Sequence, residues 1–207
     1  MSEPLPWLVI RKRTLDSVTE FVRILPRWKD LAGDGLTALT ALVNANLEAS
    51  YEDRPEMWHP VLEEFPKLRG WYGKASRERL EERRVLLDRL VVSMEMQVAK
   101  LHGHVKTLQG LYEGGEKQHG REMMDGQTVL LTWTLDRTIE TVSGMYRQYE
   151  RETQLKRRIS REILEERDRE EATAWLSAWL NGPELDDAML GEMEEALRVE
   201  LMVAPRR

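Results

Sequence analysis

Between Leu87 and Tyr112 the apolar residues Leu87, Val91, Met94, Val98, Leu101, Val105, Leu108 and Tyr112 follow one another at steps of four and three without a break. That alternation keeps one side of an α-helix apolar over many turns, and a stripe so long and narrow demands a second helix to cover it. A strand would throw members of the same stripe to both of its faces. The spacing therefore predicts an all-α chain. Its expected form is an elongated helical bundle with a long antiparallel helical hairpin, about 76–113 and 126–171, packed with N- and C-terminal helices. Ser76 is the expected N-cap of the first arm, and Gly114 and Gly115 its expected end. The second arm supplies a matching seam through Leu135, Ile139, Val142, Tyr146 and Tyr149, reached across a polar, glycine-rich loop at 114–125.

The rest of the chain fits around that hairpin. Residues 1–13 read as a flexible tail, followed by a single helical domain over 14–203. A helix over 14–49 carries Leu15, Val18, Val22, Leu25 and Trp28, then Leu36, Leu39, Val43 and Leu47. Pro26 and the pair Gly33 and Gly35 are expected to kink it, since proline removes a backbone hydrogen bond and glycine weakens a helix interior. Residues 50–75 hold Pro55, Pro60 and Pro66 and read as a connector. Past Tyr149 the second arm mixes charges, with Lys156, Arg157, Arg158 and Arg161 on an expected water-facing surface and no glutamate expected to interrupt the apolar stripes of the long helices. C-terminal helices fill 172–203. There Trp175 and Trp179 stand one turn apart, and Met189 and Met193 repeat that spacing.

Several function classes are excluded by what these residues are. The chain has no cysteine, so thiolate nucleophiles and cysteine-bound metals are ruled out. No phosphate-binding Gly-x-x-x-x-Gly-Lys loop and no Gly-x-Ser-x-Gly elbow occurs. His102 and His104 lie two apart, so on a helix they point about 200° away from each other and cannot share a metal. Glu56 with His59 and Glu116 with His119 have the Glu-x-x-His spacing of di-metal carboxylate bundles, but prolines or glycines flank each pair. No enzymatic role, metal or cofactor is expected, and a helical-bundle oxidoreductase is kept only as a remote alternative. The net charge of −6 makes the chain a poor candidate for non-specific nucleic-acid binding, which needs lysine and arginine in excess, and no direct sequence-specific contact with nucleic acid is expected either. No run is apolar enough for a membrane span, and the opening MSEPLPWLVIRKRT does not read as a signal peptide. The expected work is adhesion, with Trp175, Trp179, Met189 and Met193 as the candidate partner interface.

A set of short motifs points further. Glu52 and Asp53, then Phe65, Pro66 and Leu68, then His104 with Val105 and Tyr112 with Glu113 occur in order and without a gap from Phe65. Trp133, Ile139 with Glu140, Tyr146 with Arg147, and Leu155 with Lys156 and Arg157 follow at altered spacing. In these positions the chain resembles the AAA-ATPase-interacting ribosome maturation factor family, also described as casein kinase substrates, over most of its length after Thr14. The resemblance implies a non-catalytic adaptor that joins AAA ATPase subunits and a second small helical subunit. Through them it would act indirectly on large-subunit ribosomal precursors. It also implies residence in nucleus, nucleolus and cytoplasm. Ser17 and Ser50 each precede an acidic residue by three places, the pattern casein kinase prefers, and are the candidate phosphorylation positions. A helical scaffold in chromosome or cytoskeletal machinery is the alternative with the same architecture.

Overall fold

The computed structural model describes residues 6–50, 64–163 and 169–202. Within them the chain is all-α: α1 (Trp7–Ser50), α2 (Pro66–His119), α3 (Arg121–Gly126), α4 (Leu135–Glu162), α5 (Arg169–Asn181) and α6 (Asp187–Met202). Between α3 and α4 the chain makes a non-helical turn, pinned by a bridge between Thr128 and Thr134. The chain divides into two compact units.

The first unit joins Met1–Lys29, Glu95–Glu152 and Glu184–Arg207. Of its long helices, α1 and α4 run one way and α2 and α6 the other. Ser17 of α1 meets His104 of α2, while Ile10, one stretch earlier in α1, lies against Gly115, later in α2. His102 of α2 stacks on Tyr146 of α4, so the expected antiparallel pairing of α2 with α4 is present here. Phe21, Leu25, Leu101, Leu108, Val142 and Leu197 fill the centre, and Trp28 meets Tyr149 edge-on at 4.9 Å. The Tyr149 hydroxyl donates to Glu194, which Lys29 also reaches at 2.7 Å. Glu200 accepts from the backbone N–H groups of Thr132 and Trp133 and from the Thr132 hydroxyl, which fixes the turn ahead of α4.

The second unit joins Asp30–Met94 and Thr153–Pro183. Leu39 and Leu42 of α1, Leu87 and Val91 of α2, Ile159 of α4 and Trp179 of α5 form its core. The Trp179 indole N–H donates to the Ala32 carbonyl at 3.0 Å. Lys156 donates to the Trp179 carbonyl at 2.7 Å and its ammonium lies over the same ring.

Several boundaries differ from the sequence expectation, each for a physical reason. Residues 7–13 are helix, not tail, because Ile10 is fully buried and anchors a further turn. Pro26 lies inside an uninterrupted α1: it is exposed, while Leu25 and Trp28 on either side are buried, so packing holds the helix through the lost hydrogen bond. Gly35 does not break the helix either; a Cβ there would sit 2.5 Å from the Trp179 ring. Residues 66–75 of the expected connector are helical, with Pro66 at the first position, where its missing N–H costs nothing. Residues 51–63 of that connector, Pro55 and Pro60 included, lie outside the described residues.

Ser76 is a buried residue inside α2 and no cap. Gly114 and Gly115 likewise sit inside α2, and the chain turns at Gly120, where φ is 82°. Gly115 gives room to Met124, so the expected 114–125 loop is helix that packs. The second arm begins at Leu135, not 126, since Val129, Leu130 and Trp133 are buried in the turn before it. It closes at Glu162, and α5 begins at Arg169.

Candidate interaction surface

Buried polar groups come first, because they separate structural chemistry from sites. Glu152 of α4 is fully buried, contrary to the expectation that no glutamate interrupts an apolar stripe. It accepts the Glu184 backbone N–H at 3.1 Å, and Gln148 accepts that of Asp186 at 2.8 Å. Both side chains therefore tie down the approach to α6. Lys156 is also buried, not water-facing, and Arg157 is half-buried against Asp88, whereas Arg158 and Arg161 are exposed. Burial and the neighbouring Glu194 carboxylate push the Tyr149 phenol well above its ordinary range, and burial pushes Tyr146, bonded to Glu150, up to about 12.

His102 is exposed against Tyr146, and His104 is half-buried with Nδ1 3.1 Å from the Ser17 hydroxyl. Burial lowers the His104 pKa. Among the described residues no three His, Asp or Glu side chains gather in a way that would hold a metal. Glu116 and His119 stand at the end of α2; Glu56 and His59 lie outside the described residues. A shallow depression of about 440 Å³ is lined by Glu78, Glu81, Glu82, Val85, Leu86 and Arg89. All six belong to α2, so it is the outside of one helix and no enclosed cavity.

The candidate residues separate into three groups. The seam residues Leu87, Val91, Met94, Val98, Leu101, Val105 and Leu108 of α2 and Leu135, Val142 and Tyr149 of α4 are buried. Ile139, Tyr146 and Tyr112 are half-buried, and the Tyr112 hydroxyl turns away to donate to Asp125 at 2.7 Å. Of the candidate interface, Trp179 is 2% exposed and belongs to the core, so it offers a partner no contact surface. Trp175 and Met193 are half-buried and Met189 is exposed. Ser17 is 6% exposed and bonded to His104, so a kinase does not reach it in the folded chain. Ser50, at the end of α1, is half-buried and donates to the Leu47 carbonyl.

A different surface stands out, and the seam pattern on the opposite side of α2 obscured it. In the first unit the outward side of α2 presents Met96, Ala99, Gly103, Thr107, Gly110 and Gly114, again at steps of three and four. Met96 is 55% exposed. A Cβ added at Gly103, Gly110 or Gly114 would meet nothing within 4 Å. The Thr107 hydroxyl donates back to the Gly103 carbonyl at 2.9 Å, so the strip stays flat and its one polar side chain is already satisfied. Glycine in a helix interior costs about 1 kcal/mol against alanine, and none of these three glycines makes room for anything within the described residues. The signal that reveals the strip is that unrepaid cost. In the second unit, α2 opens with Phe65 just before it and Leu68, Trp71 and Tyr72 in its first turns, all exposed.

The chain is a distant relative of a protein named for an interaction. It is 24% identical over 181 residues to the cyclin-dependent kinase 2-interacting protein of Bos taurus, a match that covers 86% of this chain and 83% of that protein. No protein-family model matches the chain.

Proposed function

We propose that the chain is a non-catalytic helical adaptor of an AAA-ATPase complex that acts in maturation of the large ribosomal subunit. The observation that carries the adaptor part is the uncovered strip Met96, Ala99, Gly103, Gly110 and Gly114. Small residues let two helix backbones approach to the short end of the usual 8–10 Å range, where ridges of one helix fill grooves of the next. A partner's helix laid on this strip recovers in packing what the glycines lose in helix propensity. The occupant in this reading is the second small helical subunit, through which the ATPase is recruited. The ribosomal part rests on the motif set from Glu52 to Tyr112. Hydrolysis belongs to the ATPase; this chain holds motor and precursor together.

The relative's name favours a second reading, in which the partner is a cyclin-dependent kinase. Affinity purification of the full chain from its source cell, with mass spectrometry, separates the two. Enrichment of an AAA ATPase with large-subunit precursor proteins is the expected result. Enrichment of a cyclin-dependent kinase without them would move the assignment to the second reading.

A further inference from the structure

The first turns of α2 combine basic residues with exposed aromatic rings. From Lys67 to Arg77 there are four basic residues, Lys67, Arg69, Lys74 and Arg77, and no acidic one, in a protein of net charge −6. Interleaved with them are Leu68, Trp71 and Tyr72, all exposed, with exposed Phe65 just ahead. Trp71 is 69% exposed, which is unusual for the residue with the most apolar surface to hide. Lys67 precedes it by four residues and Lys74 follows it by three, so both ammonium groups share its side of the helix. The two lysines lie about 10 Å apart along the axis, with the indole between them. Lys74 keeps only a loose ion pair, 3.8 Å from the Glu78 carboxylate, with both groups largely exposed.

We propose that this face is a contact site for single-stranded nucleic acid, read without regard to sequence. A ring face open to solvent and flanked by cations is what an unpaired base and its two neighbouring phosphates require. A protein helix fits less well. Helix-in-groove docking needs a concave apolar channel, and here the rings project from the outer side of one helix. Glu64 and Glu78 border the face, Glu78 at 3.8 Å from Lys74, while salt at physiological strength screens the more distant acidic groups of the chain beyond about 8 Å. This assignment is independent of the adaptor reading, and it uses a different part of α2.

The test is fluorescence anisotropy of the full chain with a labelled oligouridylate, an oligothymidylate of equal length and a duplex control. Both single strands are expected to bind and the duplex to bind more weakly, with affinity falling as salt rises from about 50 to 200 mM. Trp71→Ala is expected to weaken single-strand binding about fivefold or more, and Trp71→Phe to retain most of it. Lys67→Glu with Lys74→Glu removes the binding, and the exposed positions leave the circular dichroism unchanged. The proposal is overturned by no anisotropy change at low salt. It is equally overturned by undiminished binding in both the Trp71→Ala and the double-lysine variants, or by capture of a protein through Trp71 with no retention of either oligonucleotide.

Discussion

The indole of Trp179 fills the space that Gly35 leaves open, with an added Cβ at that glycine only 2.5 Å from the ring. Gly35→Ala therefore forces the ring or the α1 backbone to move, and a loss of about 1–3 kcal/mol is expected from urea denaturation. The same substitution at Gly103 has open space around it and gives the opposite sign, since only helix propensity changes. Titration adds a second residue-scale consequence. The folded-state pKa of Tyr149 is raised above its ordinary value near 10 by burial and by Glu194. The phenol thus stays protonated in the folded chain while the unfolded chain releases its proton. Its contribution is fully present below about pH 10 and is lost as pH rises toward the folded pKa. His104 has the reverse sense: burial depresses its folded pKa. Its contribution is present above about pH 6.5 and is lost as pH falls through the folded value. Denaturation midpoints followed across both windows should fall on the alkaline side and on the acid side. Tyr149→Phe should flatten only the alkaline decline.

At the scale of elements, α1 and α2 each carry residues that work against helix. Pro26 leaves the Val22 carbonyl without its usual partner, and proline in a helix interior costs about 3 kcal/mol against alanine. Pro26 is exposed, so Pro26→Ala should raise the urea midpoint with no repacking. These same residues explain what was legible beforehand. The seam from Leu87 to Leu108 was plain, because its steps of three and four admit one structure and every member is buried. Boundaries are less legible, because tertiary packing overrides the local propensity of Pro26, Gly33, Gly35, Gly114 and Gly115. Ile10, Val129, Leu130 and Trp133 lie in stretches too short for periodicity to speak, and their burial turns a tail and part of a helix into something else. Trp175 and Trp179 looked equivalent in sequence, and only the position of Ala32 and Gly35 tells which of them is core. The outward strip of α2 is less legible than the seam, because glycine registers in a sequence only as an absence of side chains.

For the whole molecule, the claim is that α2 has two useful sides: one builds the fold, and the other is kept smooth for a partner. Packing among the described residues gives no reason for glycine at 103 and 110, and the proposed partner would. The most direct measurement is made on the Gly103→Leu, Gly110→Leu double variant of the full chain, with melting temperature and quantitative capture of partners read side by side. Better helix formers in open space should raise the melting temperature by a few degrees while capture of the helical subunit and its ATPase is lost. Capture undiminished in a well-folded double variant would contradict the account.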